Sequence, residues 1–172
     1  MVPKVGQCVE LQGFTARLAN QTYAPPGHVH ELTLNDNGLI KEVPNLPALP
    51  TLVSNYLPLN EVVSCPDGQI VDMIGLLSSD SGVCAYERDG RQGSRRVLKI
   101  GDATGDELAV TIWGSDAVSF SAPQFTVISL TSIRKTTFMG NVSLAATPTT
   151  SITIDPKNEK AFALKNWYNS FV

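Results

Sequence analysis

Residues 102–120, DATGDELAVTIWGSDAVSF, set out a turn, a strand and a short helix in succession. Asp102-Ala-Thr-Gly105 is a turn signal. Over Glu107–Trp113, Leu108, Val110 and Ile112 alternate with Ala109, Thr111 and Trp113, the period of a strand with one apolar face. Trp113 therefore points away from Val110 and Ile112. Gly114–Phe120 can make one or two helical turns.

Working outward, Ile70–Leu77 is an apolar run interrupted by Gly75, which suits a bent or bulged strand. Val97–Ile100 is strand-like and follows an arginine cluster. Phe125–Ile133 is again β-rich, Phe138-Met-Gly-Asn141 turns the chain, and Val142–Ala146 and Ser151–Ile154 complete the series. About five short strands with a small helix between the third and fourth make the expected fold all-β: an OB-fold, a five-stranded Greek-key barrel. A C-terminal helix follows. Asp155-Pro156 is expected to cap it, and Phe162, Leu164, Trp167 and Phe171 are expected to pack it on the barrel bottom.

Before the barrel, Pro44, Pro47, Pro50, Pro58 and Pro66 punctuate the chain and exclude a long helix or central strand. Residues 43–69 read as an extended linker with one short helical turn near Leu59–Ser64. Residues 70–172 then form the barrel. In residues 1–42, Val9–Leu11 and Glu31–Leu34 are strand-like, and a lone pair of strands is marginal in water. This segment weakly repeats residues 127–154: a strand, a basic residue, an aromatic, a polar loop and a strand. It is expected to be the C-terminal fragment of a preceding OB domain.

The net charge of −3 does not advertise nucleic-acid binding, but its distribution is uneven. Lys4, Arg17 and Lys41 are outnumbered in residues 1–69 by Glu10, Glu31, Asp36, Glu42, Glu61 and Asp67, whereas Arg88, Arg91, Arg95, Arg96 and Lys99 crowd one short stretch. Such a stretch is either a solvated charge run or a phosphate-binding stripe. Single strands are held by stacking bases on aromatic rings while cations follow the phosphates. Trp113 either packs under the following helix or offers such a ring. Phe138, at a polar loop tip after Arg134-Lys135, either packs down or meets a partner. Arg134 and Lys135 face opposite sides of their strand, so at most one lines the groove.

Other chemistry finds little footing. Cys8, Cys65 and Cys84 are scattered and odd in number, which argues against a disulfide framework or zinc site and for reduced structural thiols. His28-Val-His30 is weak metal evidence, no nucleophile, phosphate-loop or metalloprotease motif is present, and Asp72, Asp80 and Asp102 form no carboxylate motif. No enzyme activity, cofactor or metal is expected. No apolar run approaches the ~20 residues that span a bilayer, and Met1–Lys4 leads into no signal-peptide block, so an intracellular protein without membrane association is expected.

Taken together, Ile70-Val-Asp-Met-Ile-Gly75, Thr111-Ile-Trp-Gly114, Phe138-Met-Gly140 with Ser143-Leu144, and Ile154-Asp-Pro156 leading to Leu164-Lys-Asn-Trp167 resemble the second DNA-binding domain of the replication protein A large subunit. The resemblance covers about residues 44–172, and residues 5–42 resemble the end of the first such domain. It implies base stacking on Trp113 and Phe138, with backbone or base contacts from Arg95, Arg96 and Arg134. Arg91 joins them as a further candidate from the arginine cluster. In the first domain the matching positions are Arg17, Tyr23 and Glu31. Asn141 stands where the family has a loop arginine, so that loop is expected to grip the backbone less strongly.

The implied function is sequence-tolerant single-stranded DNA binding in replication, repair and recombination in the nucleus, with other replication protein A subunits as partners of the full-length protein. The family's third, zinc-containing domain has no counterpart in the sequence. The chain is thus expected to be a piece of a longer subunit, whose linked barrels raise affinity. A telomere- or meiosis-specific paralogue with sequence preference, and an OB protein-interaction module, are the alternatives.

Overall fold

The computed structural model describes residues 8–20, 29–44, 54–88 and 90–171, and they fall into two compact units that divide after Ser54. The first contains an antiparallel hairpin of β1 (Val9–Leu18) and β2 (His30–Glu42). Its register shifts between Gln12 and Phe14, where Gly13 adopts the positive φ that such an irregularity favours. Phe14, Leu18, Leu32, Leu34 and Leu39 are all exposed on this two-stranded sheet.

The second unit begins with β3 (Tyr56–Leu57) and α1 (Leu59–Ser64), then β4 (Ile70–Asp80), β5 (Cys84–Arg88), β6 (Arg91–Gly101) and β7 (Glu107–Trp113). After α2 (Gly114–Ser119) come β8 (Val127–Phe138), β9 (Asn141–Ala145), β10 (Ser151–Ile154) and α3 (Glu159–Asn169). The barrel runs β4–β6–β7–β9–β8 and closes where β8 pairs back onto β4. Only the β7–β9 junction of this ring is parallel. This is the five-stranded OB barrel expected from the sequence, with α2 between its third and fourth strands.

Closure requires β4 to bend, and its sequence supplies the means. Its register shifts at Val71/Met73 and again at Leu77/Ser79. Opposite the first shift Ser132 has positive φ, and its N–H donates to Asp72 Oδ1 at 2.8 Å. At Gly75 an added Cβ would lie 2.6 Å from the Gly101 carbonyl oxygen, so only glycine lets β4 and β6 approach this closely.

Leu98, Ile100, Val110, Ile112, Leu130, Ile133 and Leu144 fill the barrel, and Leu59 and Val62 of α1 plug it. Fully burying such aliphatic side chains contributes roughly 1.5–3 kcal/mol each. The stretch read as a linker over 43–69 thus gives its second part, from Asn55, to the barrel unit. Pro58 offers no side chain to cap α1; Asp102 does so from across the barrel. Its Oδ2 accepts the Leu59 N–H at 2.8 Å while Oδ1 accepts the Thr104 N–H at 2.9 Å. The turn signal at 102–105 is therefore also a tertiary helix cap.

The C-terminal helix differs from expectation. Asn158, not Asp155, is its N-cap, accepting the Ala161 N–H at 2.9 Å. Asp155 instead sits at positive φ and pairs with Lys157 and Lys165, which hold its carboxyl below the usual range. Ala161 and Leu164 pack with Ile74, Leu76 and Val127, and Trp167 and Tyr168 cover that cluster. Phe162 and Phe171 are exposed, because they fall off this narrow stripe.

Asp102→Ala is expected to destabilise the barrel by about 1–3 kcal/mol, since it leaves the buried Leu59 N–H without its acceptor and removes the bond from the Thr104 N–H. The urea-unfolding midpoint measures this. A midpoint equal to the parent's would mean that the α1 cap carries no weight.

Candidate nucleic-acid interface

The pleat of β7 buries Leu108, Val110 and Ile112 and turns Ala109, Thr111 and Trp113 outward. Neighbouring strands extend this outer face in register. Arg95 lies opposite Trp113, and Val97, Thr111, Ala145 and Arg134 form one row across β6, β7, β9 and β8. Ala109, Ser143 and Thr136 form part of the next row, where the Thr136 and Ser143 hydroxyls hydrogen-bond at 2.9 Å. Alanine, serine and threonine give this face a shallow floor.

The two candidate rings stand at different ends of it. Trp113 ends β7 with 39 % of its surface exposed and does not pack under α2, which instead seats Ala117 against the core. Phe138 is 72 % exposed at the β8–β9 tip, where it pairs with Asn141 across Met139-Gly140. Both turn residues have positive φ, the geometry of a tight type I′ hairpin. That geometry suits Gly140 but is costly for Met139.

The pleat separates the candidate cations. Arg95 is exposed on the outer face, and Arg91 is exposed beside the β5–β6 turn. Arg96, expected to contact nucleic acid beside Arg95, lies opposite buried Ile112 on the inner face. Its Nε pairs with Asp80 at 2.7 Å, and Nη1 donates to the carbonyls of Ala117 and Phe120. Its guanidinium carbon also lies 5.3 Å from the Phe120 ring centroid. Arg96 therefore clamps the α2 end to the barrel and is withdrawn from the candidate contacts.

The same division separates Arg134 from Lys135. Lys135 is only 6 % exposed, and its ammonium donates to the Cys65 carbonyl at 2.6 Å, tying β8 to the end of α1. Arg134, half-buried, belongs to the outer row. Lys99 is also outward but pairs with Glu107 at 3.1 Å. Hydrogen bonds from the Ser78 hydroxyl, then Lys99, lower the Glu107 carboxyl pKa.

In the first unit Arg17 and Glu31 lie directly opposite and form an ion pair at 2.5 Å. Tyr23 lies outside the described residues. Sequence reasoning missed Tyr86, whose ring meets Trp113 edge-on with centroids 5.4 Å apart. An aromatic within an arginine-rich segment was the available signal.

Among the described residues, no cluster of three or more His, Cys, Asp or Glu could hold a metal ion. Asp72, Asp80 and Asp102 each serve a structural bond instead. No helix among those residues is long and apolar enough to cross a membrane. The arrangement offers flat rings and guanidinium groups on one wet sheet face, suited to nucleobases joined by phosphates.

A family model described as the replication protein A OB domain matches residues 59–155. The 70 kDa DNA-binding subunit of replication protein A from Gallus gallus is 25 % identical over 156 residues, covering 90 % of this chain and 25 % of the relative. Replication factor A protein 1 from Saccharomyces cerevisiae is 27 % identical over 144 residues, covering 83 % of this chain and 23 % of that protein. The chain thus spans about a quarter of the length of these curated relatives. A solved replication protein A heterotrimer bound to ssDNA matches with a TM-score of 0.79 at 20 % identity, covering 97 % of this chain and 40 % of the matched one. That likeness supports the fold.

The opposite facings of Arg95 and Arg96 predict opposite phenotypes. Arg96→Ala should cost about 1–3 kcal/mol of stability through its lost charged hydrogen bonds, whereas Arg95→Ala should stay within about 0.5 kcal/mol of the parent. Urea unfolding of both variants checks this, and equal losses would contradict the assigned facings.

Proposed function

This chain belongs to the replication protein A OB-domain family, and on that premise we propose that its barrel unit binds single-stranded DNA without strong sequence preference. The observation that carries this reading is the outer face itself. Trp113 lies beside Arg95 in register, and the exposed Phe138 marks the hairpin end of the same face. Stacking on each ring contributes ~1–3 kcal/mol per base and tolerates every base. Arg91, Arg95 and Arg134 hold the phosphates, while Arg96 keeps the barrel end in shape. The unit works by binding and carries out no reaction.

The activity serves DNA replication and extends to repair and recombination in the nucleus, alongside the other replication protein A subunits. The first unit corresponds to the last strands of a preceding OB domain. In that domain Arg17, Tyr23 and Glu31 occupy the matching nucleic-acid positions. The apolar side chains exposed on its two-stranded sheet support this reading, since an isolated hairpin is marginal in water.

Trp113→Ala combined with Phe138→Ala is expected to lower oligothymidine affinity at least ~10-fold, a floor for the two stacked bases it removes. Fluorescence anisotropy reads the affinity, and circular dichroism should show an unchanged fold. Unchanged affinity would defeat the assignment. Log affinity should also fall linearly with log salt, and Arg95→Ala should reduce that slope by about 0.7 if it contacts one phosphate. An unaltered slope would remove Arg95 from the interface.

A further inference from the structure

The hairpin of β5 and β6 contains a pairing that base stacking on Trp113 and Phe138 leaves unexplained. Tyr86 of β5 lies directly opposite Gly93 of β6, and two residues further along β6, Arg95 lies opposite Trp113 of β7. Gly93 and Arg95 share the outer face of β6. Tyr86 and Trp113 therefore flank the same strand from its two sides.

In a pleated sheet, two side chains separated by an intervening strand are normally kept apart by that strand's own side chain. Here the intervening position is glycine. A Cβ at position 93 would meet Tyr86 Cζ at 2.7 Å and its hydroxyl oxygen at 2.8 Å. The tyrosine ring thus occupies the space that any other residue at 93 would claim. It reaches across β6 until its centroid is 5.4 Å from that of Trp113, with the ring planes 77° apart. Gly93 does not have positive φ, so backbone conformation does not demand glycine here. Glycine also weakens a strand interior. The room it leaves for Tyr86 is its visible return.

We propose that Tyr86 is a third nucleobase-binding ring. With Trp113 it forms a two-walled aromatic corner that takes one base of a single strand, stacked on one ring and touched at its edge by the other. Gly93 is the positioning residue that admits Tyr86 to this corner. Arg95, exposed between the two flanking strands, is placed to follow the attached phosphate. The proposal rests on the single-stranded DNA reading and adds a residue pair to it.

The test measures oligothymidine affinity by anisotropy on the full chain, with urea midpoints recorded for each variant. Tyr86→Ala should weaken binding about five-fold or more, the lower end of one stacked base. Gly93→Val retains the tyrosine but expels its ring from the corner. It should weaken binding similarly while matching or exceeding the parent's stability, because valine favours strands. Tyr86→Phe should bind within about two-fold of the parent. Should Tyr86→Ala fail to fold, Gly93→Val decides.

If Trp113→Ala weakens binding while Tyr86→Ala and Gly93→Val bind like the parent, the corner is overturned and the single-stranded DNA reading stands. If Tyr86→Phe is as weak as Tyr86→Ala, the hydroxyl rather than the ring matters and the stacking role is overturned. If the parent itself does not bind oligothymidine, both readings fall together.

Discussion

The pairing of β4 with β6 on one side and β8 on the other is the constraint on which the barrel unit depends. It turns an open sheet into a closed ring and removes most free edges. Gly75, the two register shifts and the Asp72–Ser132 hydrogen bond allow one strand to meet both neighbours. Once the ring is closed, inward residues are committed to the core and the outer face is fixed in shape. A binding surface built there needs little ordering when a ligand arrives, which reduces the entropic cost of association.

The pleat then assigns roles to residues that are adjacent in sequence. Arg95 and Arg96 are chemically identical, yet one faces solvent beside Trp113 and the other joins Asp80 to α2. Arg134 and Lys135 divide in the same way, with the lysine ammonium turned to the Cys65 carbonyl. Each inward cation has an ionic or carbonyl partner, which offsets the cost of its burial. The basic stripe is therefore thinner than the arginine count suggests. Aromatic adhesion accordingly carries more of the proposed binding.

Much of this was legible in the sequence, and what was not has a common cause. Alternation over Glu107–Trp113 is a local signal, so the strand and the outward direction of Trp113 followed from it. The short helix at Leu59–Ser64 was also local, but its place as a barrel plug depends on Leu59, Val62 and the distant Asp102. The N-terminus of the last helix was misplaced because Asp155-Pro156 has the composition of a cap, while Asn158 has the geometry. Arg96 was grouped with Arg95 because the family resemblance carries both positions over as a pair, and pleat parity, which separates them, was not applied to it. Tyr86 was missed because its importance lies in a glycine across a hairpin, and that relation exists only once the register is known.

A titration of the Trp167→Phe chain with oligothymidine leaves Trp113 as the sole tryptophan, so its emission reports the outer face alone. Saturable quenching of Trp113 is expected in step with binding measured by anisotropy, with both weakening as salt is raised. Binding that leaves Trp113 emission unchanged, or no binding at low salt, would contradict it.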